Sequence, residues 1–134
     1  MDNPIIEQKV ESLRRCITRV ESRLPKSLEA LKTDLDAQDI VALNLTRAVQ
    51  LCVDMAAHWL SDQTEVNAPR TMGQTFDALA DAGKIDQALA SRMKKSVGFR
   101  NIMVHSYDDV DWAIVFSIAR DHLDDFRVFA RTFV

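Results

Sequence analysis

The sequence predicts an all-α fold, an up-and-down bundle of about four main helices with shorter ones between them. Three observations carry this. Only three glycines and three prolines occur in 134 residues, which leaves little room for the many tight turns of a β-rich fold. Apolar residues step by fours and threes over long stretches, the period of a helix face rather than a strand. Apolar residues make up 47% and charged residues 28%, the balance of an ordinary globular protein. The chain, 1–134, reads as a single domain, large enough to bury roughly two-thirds of its unfolded surface.

The first helix is expected to begin at Asn3-Pro4, a polar cap followed by proline in the first turn. Ile6, Val10, Leu13, Ile17, Val20 and Leu24 form its seam, with Arg14, Arg15, Arg19, Glu21 and Arg23 outside it. Pro25 ends or kinks it. Leu28, Leu31 and Leu35 suggest a short helix closed near Asp36, and a long second main helix follows over roughly Asp39 to Ser61. Its stripe is Val41, Leu45, Ala48, Cys52, Met55 and Trp59, and Ile40, Leu43, Leu51 and Leu60 widen it, so this helix should be central. Asp62 to Arg70 reads as a polar loop.

The third helix is short, opened by the capping box Thr71-x-x-Gln74 and stopped by Gly83, with Phe76, Leu79 and Ala80 on its buried side. A fourth carries Ile85, Leu89, Met93 and Val97. The last shows Trp112, Phe116, Ala119, Leu123, Phe126, Ala130 and Phe133 in one continuous pattern. Ile40, Leu43, Ile114, Val115 and Ile118 exceed what one seam per helix needs. They favour a homodimer, although a thick single core explains the same residues.

Several function classes are excluded or demoted. No uninterrupted apolar run approaches the ~20 residues of a membrane span. The start, Met1-Asp2-Asn3-Pro4-Ile5-Ile6-Glu7, lacks the basic and apolar regions of a signal peptide, so the cytoplasm is expected. Two cysteines, Cys16 and Cys52, are too few for a disulfide framework or a zinc site and read as core or near-core residues. A net charge of −3 is wrong for a general nucleic-acid coat protein. Locally, Arg92, Lys94, Lys95 and Arg100 cluster, which suits a phosphate site and equally a solvated helix face.

That cluster leads into the stretch around which the chain is organised, Gly98-Phe99-Arg100-Asn101-Ile102-Met103-Val104-His105-Ser106-Tyr107-Asp108-Asp109-Val110-Asp111. Phe99, Ile102 and Met103 keep helical spacing up to His105, and the acidic run reads as a turn with Asp109 or Asp111 capping the next helix. Arg100 and His105 are five residues apart, about 140° around a helix, so they can border one groove. Arginine grips phosphate oxygens in a bidentate fork, and histidine, with an ordinary pKa near 6.5, serves as acid or base near neutrality. Those are the two parts needed to cut RNA with its own 2′-hydroxyl as nucleophile. The plainer alternative pairs Arg100 with Asp108 or Asp109 and lets His105 cap a helix end. Asn101 either orients phosphate or histidine or is a polar surface residue, and Lys94 and Lys95 are weaker candidates for RNA contact. His58 and His122 read as boundary or surface histidines. Asp108, Asp109 and Asp111 are explained by the helix dipole without a metal.

Arg100-x4-His105-x-Tyr107, with Gly98-Phe99 before it and Asp108-Asp109-Val110-Asp111 after it, closely resembles the signature of the HepT family of HEPN-domain toxins, the toxin halves of HepT/MntA pairs. The resemblance extends through the helix order, the Phe76 to Gly83 segment and the last helix. It implies a HEPN-like bundle that dimerises, with Arg100 and His105 of two protomers in one composite cleft. It implies a metal-independent endoribonuclease needing no cofactor, and Tyr107 as acceptor of AMP from an MntA-type nucleotidyltransferase antitoxin. An adenylyl group two residues from His105 would add bulk and negative charge where substrate phosphate must bind. Two rival readings stand beside it: a non-catalytic accessory subunit or nucleotide-binding partner of the transferase, and a purely structural dimerising module.

Overall fold

The computed structural model describes residues 3–63 and 69–134. It is an all-α bundle: α1 (Pro4–Arg23), α2 (Leu28–Thr33), α3 (Leu35–Ser61), α4 (Met72–Asp81), α5 (Gln87–His105), a 3-10 turn (Tyr107–Asp109), α6 (Trp112–Asp121) and α7 (Leu123–Arg131). No strand occurs among the described residues. Of the polar loop expected over 62–70, residues 64–68 lie outside the described residues.

Local chemistry sets most boundaries. The Asn3 side chain accepts hydrogen bonds from the Ile5 and Ile6 amides, and Pro4 opens α1 where no amide donor is needed. At α4 the Thr71 hydroxyl accepts from the Gln74 amide, while the Gln74 side chain reaches back to the Arg70 amide. Gly83 closes α4 with φ +78°, the left-handed conformation that glycine adopts without penalty. The Lys84 amide then donates to Leu79 and that of Gly83 to Ala80, so the last carbonyls are satisfied.

Two boundaries differ from the sequence reading. Leu35 does not belong to the short helix. Asp34 accepts from the Ala37 amide and restarts the chain as α3 at Leu35, which is left exposed, four residues before the expected start at Asp39. The last helix is two helices. His122, at φ −123° and ψ 11°, breaks the pattern between α6 and α7. The apolar spacing runs through that break unchanged, so periodicity could not reveal it.

α3 is the central element. By length and composition it could cross a membrane; in the bundle its buried side meets α1, α4, α5, α6 and α7. α1 runs antiparallel to it, Lys9 facing Asp54 at one end and Arg19 sharing a groove with Asn44 towards the other. Leu13, Ile17 and Val20 meet Val41, Leu45, Val49 and Cys52 in the core. α4 and α5 form a hairpin tied by Lys94 and Asp77, and α7 closes the far side through the edge-on pair Phe76–Phe129 at 5.5 Å. Cys16 and Cys52 are both buried, and burial pushes both thiols up, Cys52 the further. Among the extra apolar residues, Val115 is fully buried core, whereas Leu43 and Ile114 remain about half exposed.

Candidate functional site

The site is built at the C-terminal end of α5. Asp86 caps that helix through the Leu89 amide, and Leu89, Ala90, Met93 and Val97 anchor it in the core. Met103 fixes the last turns, buried beneath the Thr46 hydroxyl. This anchoring decides what the motif presents. Arg100 and Asn101 fall half-buried against α3, while His105 is the exposed last residue of the helix. Ser106 leaves helical geometry (φ −146°, ψ 51°), and its amide still bonds the Ile102 carbonyl at 2.8 Å. Tyr107 to Asp109 make the 3-10 turn, and Asp111, rather than Asp109, caps α6 by accepting from the Ala113 amide.

Arg100 has no carboxylate partner among the described residues, so the pairing with Asp108 or Asp109 is not what holds it. Its Nη2 donates to Gln50 Oε1 at 3.2 Å and its Nη1 to Asn101 Oδ1 at 3.1 Å. Gln50 is oriented in turn, because its amide nitrogen donates to Asp54 Oδ1 at 2.9 Å. Both acceptors on the guanidinium are therefore neutral amide oxygens. The Nε–H is shielded from solvent and has no partner among the described residues. A guanidinium held by neutral acceptors, with a donor left over, keeps its charge for an incoming anion, and charge-assisted bonds are the stronger kind.

Of the basic cluster on α5, Arg92 is bonded to Asp125 at 2.9 Å and Lys94 to Asp77 at 3.0 Å. Lys95 is exposed on the rim of a groove of about 410 Å³ between α5, α6 and α7 and has no described carboxylate partner. A second groove, of about 500 Å³ between α1 and α3, is lined by Arg15, Arg19 and Arg47 together with Asn44 and Gln50. None of its three arginines is paired with a carboxylate among the described residues. Gln50 belongs both to this groove and to the hold on Arg100. The sequence reading placed Arg15 and Arg19 merely outside a seam. Their four-residue spacing was visible, but their convergence on Arg47 of another helix was not.

Tyr107 stands beyond the helix end, 40% exposed. Its ring meets Trp112 edge-on at 5.9 Å, and its hydroxyl donates to Asp39 Oδ1 on α3 at 2.8 Å. Partial burial, the hydrogen bond to Asp39 and the charge of that carboxylate together push the phenol up to about 12. Asp39 is 68 residues away in sequence and carried no signal there. His58 is half-buried on α3, and His122 is exposed at the α6–α7 break.

Comparison with known proteins gives a consistent result. The family model described as Ribonuclease HepT-like matches residues 13–133. The chain is 36% identical over 127 residues to the mRNA nuclease HepT of Shewanella oneidensis, covering 95% of this chain and 94% of that one. It is 27% identical over 130 residues to the tRNA nuclease HepT of Aphanizomenon flos-aquae, covering 95% and 86%. Among solved structures it superposes with a TM-score of 0.91, at 35% identity and 98% coverage of both chains, on the tri-AMPylated Shewanella oneidensis HEPN toxin in complex with MNT antitoxin. Family model, relatives and solved complex agree along nearly the whole chain: it belongs to the HepT-like ribonuclease family and is an endoribonuclease toxin of the HEPN type.

Proposed function

We propose that the chain acts as one HEPN-like domain over residues 1–134, cutting cellular RNA as a homodimer and silenced by adenylylation of Tyr107. The observation that carries the cleavage reading is the state of Arg100: a half-buried guanidinium held, among the described residues, by the neutral oxygens of Gln50 and Asn101 alone. In this reading Arg100 stabilises the negative charge that builds on the phosphorane. His105, exposed one helical turn and more along α5, moves the proton of the 2′-hydroxyl or of the leaving 5′-oxygen. Asn101 keeps the guanidinium in place. A single chain offers one such pair. The half-exposed Ile102 and Ile114 near the motif suit a second protomer, which would bring its own Arg100 and His105.

RNA would follow the positive groove of Arg15, Arg19 and Arg47 to Arg100, with Gln50 as the step between them. Lys95 is the better of the two lysine candidates, because Lys94 is engaged by Asp77. No metal or other cofactor enters this chemistry. The partner is an MntA-type nucleotidyltransferase antitoxin acting in the cytoplasm, and Tyr107, exposed two residues from His105, is the acceptor of its AMP.

The test is cleavage of total cellular RNA by purified protein in excess EDTA, beside Arg100→Ala and His105→Ala. The expected result is cleavage by the wild type alone, leaving 2′,3′-cyclic phosphate ends. Equal cleavage by all three would remove these residues from the reaction. No cleavage by any, with efficient labelling of Tyr107, would favour the accessory-subunit reading.

A further inference from the structure

We propose that Asp39 is the proton acceptor in the modification of Tyr107: its carboxylate takes the phenolic proton as the hydroxyl oxygen accepts an adenylyl group. This rests on the reading of Tyr107 as AMP acceptor and assigns a role to a residue of the toxin itself, on a different helix.

The geometry supports it in three ways. First, the contact is direct and dedicated: Tyr107 Oη donates to Asp39 Oδ1 at 2.8 Å, and Asp39 has no cationic partner among the described residues. Second, the residue is fixed at its backbone and at one side of its ring, yet open. Trp112 meets the ring edge, the Val110 amide bonds the Tyr107 carbonyl, and 40% of the residue still faces solvent. Third, the proton points at Asp39, so the oxygen lone pairs that would attack an electrophile face away from the carboxylate.

The need for an acceptor is chemical. With the phenol pushed up to about 12, only roughly one molecule in 10⁵ carries free phenolate at neutral pH. Removing the proton during attack avoids that scarcity. The co-reactant is ATP held by the nucleotidyltransferase. Tyr107 Oη forms a bond to the α-phosphorus. The bond from that phosphorus to the oxygen bridging to the β-phosphorus breaks, and pyrophosphate leaves with the electron pair. The proton passes from Oη to Asp39 Oδ1 and is later lost to water. In the product the aryl oxygen has no proton left to donate, and its phosphodiester charge faces the Asp39 carboxylate, so the original hydrogen bond cannot re-form.

The test measures the rate of AMP incorporation by intact mass with a cognate nucleotidyltransferase and ATP. The toxins compared are wild type, Asp39→Asn, Asp39→Ala and Tyr107→Phe, each with a thermal melt to confirm folding. Asparagine keeps an oxygen in place but cannot take the proton. Asp39→Asn is expected to lower kcat at least about tenfold, with KM for the toxin unchanged. Its rate is expected to climb with pH from about 7 to 9 while the wild-type rate stays flat. Formate added to Asp39→Ala is expected to restore part of the rate. Wild-type kcat and a flat profile in Asp39→Asn would overturn the proposal, as would a slow Asp39→Ala that formate cannot rescue. Labelling of Tyr107→Phe at the wild-type rate would instead overturn the acceptor reading beneath it.

Discussion

The two ends of the motif are built differently. Arg100 is half-buried, gripped through Gln50 by a side-chain relay that ends on Asp54 and Lys9. Tyr107, seven residues on, is exposed and tied to the same helix α3 by a single hydrogen bond to Asp39. The first arrangement suits a charge that must not move while a phosphate reacts, since fixed dipoles and donors need no reorganisation. The second suits a side chain that another protein must reach and alter. Under the proposed reading, one helix end would carry a firmly held catalytic half and an accessible regulatory half, with His105 between them.

The largest expected effect lies at the rigid end. Arg100→Ala and His105→Ala should each lower RNA cleavage by about 10²- to 10⁴-fold with folding retained, read by fluorescent-substrate kinetics. A much smaller loss in either would put the chemistry elsewhere. Gln50→Ala should be milder. Removing one hydrogen bond to a charged group is worth about 1.5 kcal/mol, hence about a tenfold loss in kcat/KM. No loss would mean that Asn101 alone positions the guanidinium.

The Tyr107 end can be read optically, because Tyr107 is the single tyrosine of the chain. Its folded phenol keeps its proton up to about 12, whereas an unfolded tyrosine releases it near 10. Its contribution to stability is therefore complete below about pH 10 and fades as pH rises towards 12. Phenolate absorbance is expected to give a midpoint near 12, moving towards 10 in Asp39→Asn. An unchanged midpoint would mean that the bond to Asp39 does not hold in solution. The smallest effect is at Gly98, where an added Cβ meets nothing within 4 Å. Gly98→Ala should raise stability by about 1 kcal/mol in a chemical melt. A loss instead would place a second protomer against that face.

How much of this was legible in the sequence follows the range of the interactions. The caps at Asn3 and Thr71, the stop at Gly83 and the end of α5 at His105 are set within a few residues, and periodicity with turn chemistry found them. The break at His122 was missed, because no proline or glycine marks it and the apolar steps cross it in phase. The start of α3 was missed because Asp34, rather than a hydrophobic residue, fixes it. Arg100, His105 and Tyr107 were legible as a motif. Their distant partners were not, since Gln50 lies 50 residues from Arg100 and Asp39 68 residues from Tyr107. Contacts of that range are made by tertiary packing and leave no local pattern.

The most direct test of the division of labour joins both halves in one assay. Wild type and Tyr107→Phe are incubated with the nucleotidyltransferase and ATP, then assayed for RNA cleavage. The expected result is loss of cleavage in the labelled wild type and continued cleavage by Tyr107→Phe. Labelled wild type that cuts as before, or Tyr107→Phe silenced to the same extent, would contradict the assignment of catalysis and control to opposite ends of the motif.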